Sequence, residues 1–283
     1  MRLLSNQHRY VKGQITCRSL RPFAAGKRIV LAIPGGPGIG GQYLEPFLLD
    51  LAKSTGMNVA LLDLPNHGES IIRDSDTPLN YRRCLSLLES AVGQIAKETG
   101  DIVLFGQSFG ARLACDLLSA SGVKFSAAIL MGFPYIFENS SEFEKSLAGV
   151  ALEDYRGDSD DEAVFVRNWR KILPFYTPKP LPPEAVEQLA AGTKWRGNER
   201  MVEAVPPLEA ATSTLKDRMP PILVIQGDRD IIVPDGNQQA LKAMIPKAEF
   251  REISDAGHFI MLEKPSATLA LVKGFLSQIG DGL

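Results

Sequence analysis

The pentapeptide Gly106-Gln107-Ser108-Phe109-Gly110 has residue types and a spacing that suit nucleophilic chemistry. It follows a short apolar run and comes directly before the pattern of an amphipathic helix. A serine in a tight turn between a strand and a helix has its hydroxyl held clear of the backbone, and a flanking glycine lets the two elements pass closely. We therefore expect Ser108 to act as a nucleophile.

A serine nucleophile needs a base, and His258 is the best candidate among the three histidines of the chain. His258 falls in a loop between a predicted strand and the last predicted helix, where a doubly wound sheet would bring it to the same edge as the nucleophile turn. His8 lies near the beginning of the sequence, and His67 follows an earlier strand. We expect His258 to take the proton of Ser108.

The acid that orients the imidazole is expected in the loop Gly227–Pro234, which follows another apolar run. Asp230 stands at the tip of this turn and is the favoured acid. Asp228 is expected to hold the loop through hydrogen bonds to the backbone. Glu138 is a less favoured alternative for the acid.

The glycine-rich segment from Pro34 to Gly41 is expected to form one side of an oxyanion hole. Its glycines allow the backbone to turn peptide N–H groups inward. The two donors would be the N–H of Gly36 and the N–H of Phe109, the residue after the nucleophile. This chemistry is acyl transfer in two steps, with a small-molecule substrate and no cofactor or metal.

Short apolar runs alternate with helical patterns, which predicts an α/β protein with a mostly parallel sheet covered by helices on both faces. The predicted strands are Ile29–Ile33, Asn58–Asp63, Asp101–Phe105, Ala127–Met131, Ile222–Gln226 and Ala248–Ile253. The predicted helices are Tyr43–Ser54, Leu79–Glu98, Ser108–Ser121, Asp235–Met244 and Lys264–Ile279. The first residues, to about Cys17, are expected to add antiparallel edge strands.

The strand–helix alternation breaks between Phe133 and about Lys216, where charged and aromatic residues and prolines are frequent. This segment is too long for a loop in a compact domain, and its pieces have the pattern of short helices. The sequence therefore predicts an α/β core from residues 1–133 and 216–283, with an inserted helical cap at residues 134–215.

Composition excludes several classes of partner. Lys+Arg 31 against Asp+Glu 33 leaves a net charge of -2, so no global field would attract nucleic acid or an anionic membrane. The three cysteines lack CxxC spacing, which argues against a disulfide framework, and no histidine–cysteine pattern suits a metal. With no apolar stretch of signal-peptide or membrane-span length, a cytoplasmic protein is expected. The oligomeric state is left open.

Two segments resemble a known family. Gly35-Gly36-Pro37-Gly38 is similar to the His-Gly-Gly-Pro-Gly loop of the proline iminopeptidase-like branch of the α/β-hydrolase superfamily, with Pro34 where that branch has His. The segment from Asp63 to Ser70 is similar to the superfamily's Asp-x-x-Gly-His-Gly-x-Ser segment, with Asn66 in place of Gly. The resemblance implies an α/β-hydrolase fold with a helical cap and a serine hydrolase that is either aminopeptidase-like or an esterase, or another C–O or C–C bond hydrolase.

Two other functions compete with this interpretation. Gly36-x-Gly38-x-x-Gly41 matches a dinucleotide-binding fingerprint, and Asp63 stands at the end of the next strand. Pro37 argues against nucleotide binding, because it removes a peptide N–H from the loop that would hold the pyrophosphate. The second alternative is a non-catalytic protein that binds small molecules on the same fold.

Overall fold

The computed structural model describes residues 4–72, 79–138, 140–151, 162–191, 201, 205–208 and 219–279. In these residues the chain forms an eight-stranded sheet with the order β1-β2-β4-β3-β5-β6-β7-β8. The strands are β1 (Asn6–Tyr10), β2 (Ile15–Ser19), β3 (Lys27–Ile33), β4 (Asn58–Leu62), β5 (Gly100–Gln107), β6 (Ala127–Met131), β7 (Ile222–Gly227) and β8 (Glu249–Ile253). The pairs β1–β2 and β2–β4 are antiparallel, and the remaining neighbours are parallel.

Nine α-helices lie among the described residues. They are α1 (Glu45–Thr55), α2 (Tyr81–Thr99), α3 (Phe109–Ala120), α4 (Ser141–Leu147), α5 (Glu162–Ile172), α6 (Pro183–Ala191), α7 (Asn237–Met244), α8 (Ile260–Glu263) and α9 (Pro265–Gln278). Short 3₁₀ turns precede α1 at Gly41–Leu44 and follow α5 at Leu173–Tyr176.

The central strands are buried on both faces, which explains their continuous apolar sequence. In β3, Ile29, Leu31 and Ile33 pack into one core. Val30 and Ala32 pack into the other. Successive side chains of a strand point to opposite faces, so a strand between two helical layers needs apolar residues at every position. Helices α2 and α3 cover the first core, and α1 and α9 cover the second.

Helix α2 shows why the local sequence is helical. The side chain of Asn80 caps its first turn by accepting a hydrogen bond from the Arg83 N–H at 3.0 Å, and Gly100 ends it in the left-handed conformation with φ 83°. Its buried face has helical spacing. This face consists of Tyr81, Cys84, Leu88, Ala91, Val92, Ile95 and Thr99.

The predicted fold class is confirmed. All six predicted strands and five predicted helices are present, with each end within two residues of its predicted position. The first residues form the antiparallel edge strands β1 and β2, as expected. The short helix α8, directly before α9, is the element that the sequence pattern does not predict. Its position next to His258 matters for the site.

Between β6 and β7 the described residues form α4, α5 and α6. The predicted cap at 134–215 also includes residues outside the described ones, and its role as a cap stays a prediction. The three cysteines, Cys17, Cys84 and Cys115, are buried and form no disulfide. Among the described residues, no helix combines the length and the apolar character that crossing a membrane would need.

Candidate active site

Ser108 lies at a strained turn between β5 and α3. Its backbone has φ 54° and ψ -120°, a region that side-chain-bearing residues rarely occupy. The flanking glycines make the turn possible. A Cβ on Gly106 would lie 2.5 Å from the Cα of Ala111, and one on Gly110 would lie 2.2 Å from the carbonyl oxygen of Ile33. The turn leaves Ser108 partly exposed between buried neighbours.

The structure brings the three predicted residues together in one hydrogen-bonded chain. The distance from Ser108 Oγ to His258 Nε2 is 2.8 Å, and the distance from His258 Nδ1 to Asp230 Oδ2 is also 2.8 Å. The side chains of His258 and Asp230 are 3% and 0% exposed. When the imidazole is neutral, its Nδ1–H donates to Asp230 and its Nε2 is left to accept the proton of Ser108.

The other candidate acids lie elsewhere. Asp228 accepts a hydrogen bond from the N–H of Ala256 at 3.4 Å, so it contacts the backbone, as expected, and does not contact the imidazole. The second oxygen of Asp230 accepts from the N–H of Ile232 at 3.0 Å, which holds the carboxylate in place. Glu138 is exposed.

Residues 34–41, here called the glycine loop, lie directly against the nucleophile. A Cβ on Gly35 would be 3.2 Å from the Cβ of Ser108. Among the described residues, the N–H of Gly36 and the N–H of Phe109 have no hydrogen-bond acceptor. Both N–H groups are therefore available as the donors that an oxyanion hole requires, and this role stays a prediction.

Two side chains from outside the glycine loop anchor it. The N–H of Gly35 donates to the hydroxyl oxygen of Tyr43 at 2.7 Å, and the N–H of Gly38 donates to Nε2 of His67 at 2.6 Å. Pro34, which stands where the similar branch has a histidine, cannot provide such an anchor through its own side chain. Sequence reasoning missed the role of both anchors.

The anchors are neutral for the same physical reason. His67 Nε2 accepts from Gly38, so its Nδ1 carries the proton and donates to the carbonyl oxygen of Pro65 at 2.8 Å. Burial lowers the pKa of His67 to about 4, against the opposing effect of the bond to Pro65. Burial raises the pKa of the Tyr43 hydroxyl, although the bond from Gly35 lowers it.

Gln107, the residue before the nucleophile, links the two sides of the site. Its Oε1 accepts a hydrogen bond from the Tyr43 hydroxyl at 2.7 Å, and its Nε2 donates to the carbonyl oxygen of His258 at 3.2 Å. The side chain is fully buried. A polar residue at the end of an apolar strand is the sequence signal that could have pointed to this role, because a buried amide requires partners.

A buried ion network supports the segment that carries His67. Arg18 pairs with Glu45 and, at 3.0 Å, with Asp63. The other oxygen of Asp63 accepts a hydrogen bond from the N–H of Glu69 at 2.9 Å, two residues beyond His67. The network therefore connects β2, α1 and the segment after β4.

The segment between β6 and β7 reaches the site through Tyr176. The carbonyl oxygen of Tyr176 accepts a hydrogen bond from the N–H of His258 at 2.7 Å. Its ring meets the edge of the imidazole at 5.5 Å and stacks on Phe259 at 5.6 Å between ring centroids. The sequence motifs assign no role to Tyr176.

A cavity of about 580 Å³ lies between the loop that carries Asp230 and the segment containing Phe175 and Thr177. Neither Ser108 nor His258 is among the described residues that line it. The acyl group of a substrate must contact Ser108, so this cavity is not the binding site of the acyl group.

The glycine loop is poorly suited to hold a dinucleotide. Two of its peptide N–H groups, those of Gly35 and Gly38, already donate to side chains of this chain. The helix that follows begins with the buried Glu45, so a carboxylate paired with Arg18 already lies in the first turn, where a phosphate would have to bind. Among the described residues there is also no group of three or more histidine, cysteine or acidic side chains placed to hold a metal ion.

Comparison with known proteins identifies the class. Residues 29–271 match the family described as "Alpha/beta hydrolase family", so the chain belongs to that family and is a hydrolase. A comparison with curated proteins gave no match. The proline iminopeptidase-like branch is not established by these findings and stays a prediction.

Solved structures of low sequence identity share the fold. A thermophilic esterase from Thermogutta terrifontis is 20% identical with a TM-score of 0.70, and the match covers 97% of this chain and 99% of that one. An esterase from Exiguobacterium antarcticum is 17% identical with a TM-score of 0.73, covering 96% and 99%. A haloalkane dehalogenase from Agrobacterium tumefaciens is 17% identical with a TM-score of 0.74, covering 97% and 96%. The same fold thus serves different hydrolytic reactions in these proteins.

Proposed function

We propose that this protein is a serine hydrolase that cleaves small carboxylic esters through an acyl-enzyme. Ser108 is the nucleophile, His258 the general base and Asp230 the acid that orients the imidazole. The observation that carries the proposal is the unbroken chain from Ser108 Oγ through His258 to Asp230, with 2.8 Å at both links. Three loops distant in sequence supply its members, and the geometry is that of nucleophile, base and orienting acid.

The reaction proceeds in two steps. His258 Nε2 takes the proton of Ser108 as its oxygen bonds to the ester carbonyl carbon, and the N–H groups of Gly36 and Phe109 stabilise the oxyanion. The imidazolium then gives this proton to the departing alcohol as the C–O bond breaks. Water, deprotonated by the same imidazole, attacks the acyl-enzyme and releases the carboxylic acid and free Ser108.

We favour esters over peptides with a free amine, because an aminopeptidase needs a carboxylate near the nucleophile to pair with the substrate ammonium. Among the described residues between β6 and β7, no glutamate contacts Ser108, His258 or Asp230. Glu138, Glu142 and Glu144 are exposed, and Glu142 lines the cavity that Ser108 does not reach. Glu153 lies outside the described residues. The glycine loop, through its Gly35-Gly36-Pro37-Gly38 segment, is the feature that favours aminopeptidase-like activity as the second candidate.

The central test is covalent labelling. A fluorophosphonate should add to the wild-type protein and to the Ser277→Ala control, whose serine is exposed on α9. Ser108→Ala should show no adduct by intact-mass spectrometry and no hydrolysis of p-nitrophenyl acetate or butyrate. A wild-type protein that forms no adduct and cleaves none of these esters would contradict the proposed role of Ser108 and favour a non-catalytic binding protein.

The leaving group needs a separate test. The kcat/KM values are compared for short-chain esters and for prolyl and alanyl arylamides with free and acetylated amines. A charge-assisted contact to an ammonium is worth roughly 1.5–3 kcal/mol, so an aminopeptidase should prefer the free amine by at least about tenfold. We expect esters to be cleaved far faster than both arylamides, with no preference for the free amine. The opposite ranking would establish the peptidase.

A further inference from the structure

Glu263 holds the loop that presents His258, and the reaction described above gives it no role. It is the last residue of α8, five positions after His258, and it is partly buried. Its Oε2 accepts a hydrogen bond from the N–H of Gly257 at 2.8 Å, and its Oε1 accepts from the N–H of Phe259 at 3.1 Å. One carboxylate therefore binds the two peptide groups on either side of the imidazole-bearing residue.

Residues 255–259, here called the histidine loop, are held from a second direction as well. The N–H of His258 itself donates to the carbonyl oxygen of Tyr176 at 2.7 Å, so three successive peptide N–H groups have acceptors. Gly257 is needed for this close approach, because a Cβ there would lie 2.4 Å from the Tyr176 carbonyl oxygen. The backbone of the loop is thus fixed around the position of the imidazole.

The electrostatic surroundings make Glu263 sensitive to pH. Burial raises its pKa to about 7, and the charge of Asp230 adds to this effect. The hydrogen bonds from Gly257 and Phe259, together with His258, act in the opposite direction. The nearby Lys264 and Lys179 both pair with Asp255, and the described residues provide no salt bridge to Glu263.

We propose that Glu263 is a positioning residue for the general base, whose carboxylate fixes the histidine loop so that the imidazole reaches Ser108 and Asp230 together. This inference rests on the proposed function, because it assigns a role within that reaction. Two hydrogen bonds to an ionised carboxylate are stronger than bonds to a neutral carboxyl group. The loop is therefore held most firmly when Glu263 is ionised and less firmly when it is protonated.

The test uses Glu263→Gln, which resembles the protonated carboxyl group in shape and lack of charge. The matched control is Glu184→Gln, an exposed glutamate in the first turn of α6. Misplacing a catalytic group slightly costs large factors in rate, so we expect kcat/KM of Glu263→Gln to fall about tenfold at pH 8.5, mostly in kcat. At pH 5.5, where the wild-type carboxyl group is protonated, the two proteins should have nearly equal values.

This pH dependence separates positioning from a general structural role. A variant that was only less stable would lose activity by the same factor at each pH where it is folded. A wild-type to Glu263→Gln ratio that is constant from pH 5.5 to 8.5, or equal to 1 throughout, would therefore contradict the proposal. The Glu184→Gln ratio should stay near 1 at every pH.

A second measurement does not depend on turnover. In the unliganded protein, the His258 Nδ1–H that bonds to Asp230 should give a downfield proton NMR signal, which Glu263→Ala should broaden or shift. An unchanged signal in a folded variant would overturn the role of Glu263. A wild-type protein that fails to hydrolyse esters or react with fluorophosphonate would contradict the proposed function, and the NMR comparison would still decide whether Glu263 positions the imidazole.

Discussion

The glycine loop and the histidine loop flank the same serine and are held by the same kind of contact. In both, side chains from elsewhere in the chain accept hydrogen bonds from backbone N–H groups. Tyr43 and His67 anchor the glycine loop through neutral acceptors. Glu263 anchors the histidine loop through a group that ionises.

Because the anchors are buried, we expect the two loops to respond differently to pH. Burial moves the pKa of His67 down to about 4 and raises that of Tyr43, so both stay neutral around pH 7. The same burial moves the pKa of Glu263 to about 7, because the charged form of a carboxyl group is the one that loses hydration. We therefore expect the anchors of the glycine loop to keep their charge state near neutral pH and the anchor of the histidine loop to change it.

The largest expected effect is on the base side and separates the two aspartates. The kcat of Asp230→Asn should fall about 10⁴-fold, because the imidazole no longer has an ionised acceptor for its Nδ1–H. This magnitude is taken by analogy from the orienting acid of serine proteases. Asp228→Asn, which contacts only the backbone, should lose much less. Steady-state kinetics on a p-nitrophenyl ester measures both, and a reversed ranking would reassign the acid.

On the oxyanion side, His67→Ala should lower kcat about 100-fold with little change in KM, because the glycine loop loses the acceptor for Gly38 and its donors move. Affinity for a boronic acid that mimics the tetrahedral intermediate should fall with kcat. His67→Gln keeps an acceptor and should lose less. The control is His8→Gln, because the imidazole of His8 stacks on Phe23 and not on a residue of the site. Equal losses in kcat and in ground-state binding would contradict a role in the oxyanion loop.

A smaller effect is expected from deleting one hydroxyl. Tyr43→Phe keeps the ring, which meets Phe259 edge-on at 5.6 Å, but leaves the Gly35 N–H and Gln107 Oε1 without their shared partner. An unsatisfied buried group costs about 1–3 kcal/mol. The free energy of unfolding, measured with urea, should therefore fall by an amount of this order for the unpaired Gly35 N–H and Gln107 Oε1 together. The kcat should fall about tenfold. Unchanged stability would mean that water replaces the hydroxyl.

The smallest effect is on the pH dependence of stability. The pKa of His67 is lowered on folding. Its contribution to the stability of the folded state is therefore present above pH 6.5 and is lost as pH falls towards 4. The pKa of Glu263 is raised on folding. Its contribution to the stability of the folded state is therefore present below pH 4.5 and is lost as pH rises towards 7. The free energy of unfolding is therefore measured with urea from pH 4.5 to 7 and plotted against pH. Relative to wild type, the slope of this plot should change in opposite directions for His67→Gln and Glu263→Gln. Slopes of the same sign would contradict the comparison of the two loops.

The sequence by itself determined the fold and the nucleophile turn, because both depend on local patterns. Strands such as β5 are buried on both faces, so each is a continuous apolar run that stands out from amphipathic helices. The turn at Ser108 requires glycine on both sides, and this requirement is visible in five consecutive residues. The expected edge, where parallel strands end, then limited the candidates for the base to His258 and for the acid to the loop after β7, with Glu138 as the less favoured acid.

Only the tertiary structure decided what holds these residues in place. Tyr43 and Glu263 have no pattern that distinguishes them from an ordinary helix tyrosine or a surface glutamate. His67 and Gln107 stand in recognisable segments, but the sequence does not show which groups they contact. His67 and Gln107 act through contacts between distant segments, such as the bond from Gln107 to the carbonyl oxygen of His258, 151 positions later. Glu263 bonds N–H groups only four and six positions earlier, but this contact depends on how the chain turns around His258. A hydrogen bond depends on distance and direction within a few tenths of an ångström, and the pKa of its acceptor depends on burial. Both quantities exist only once the chain has folded.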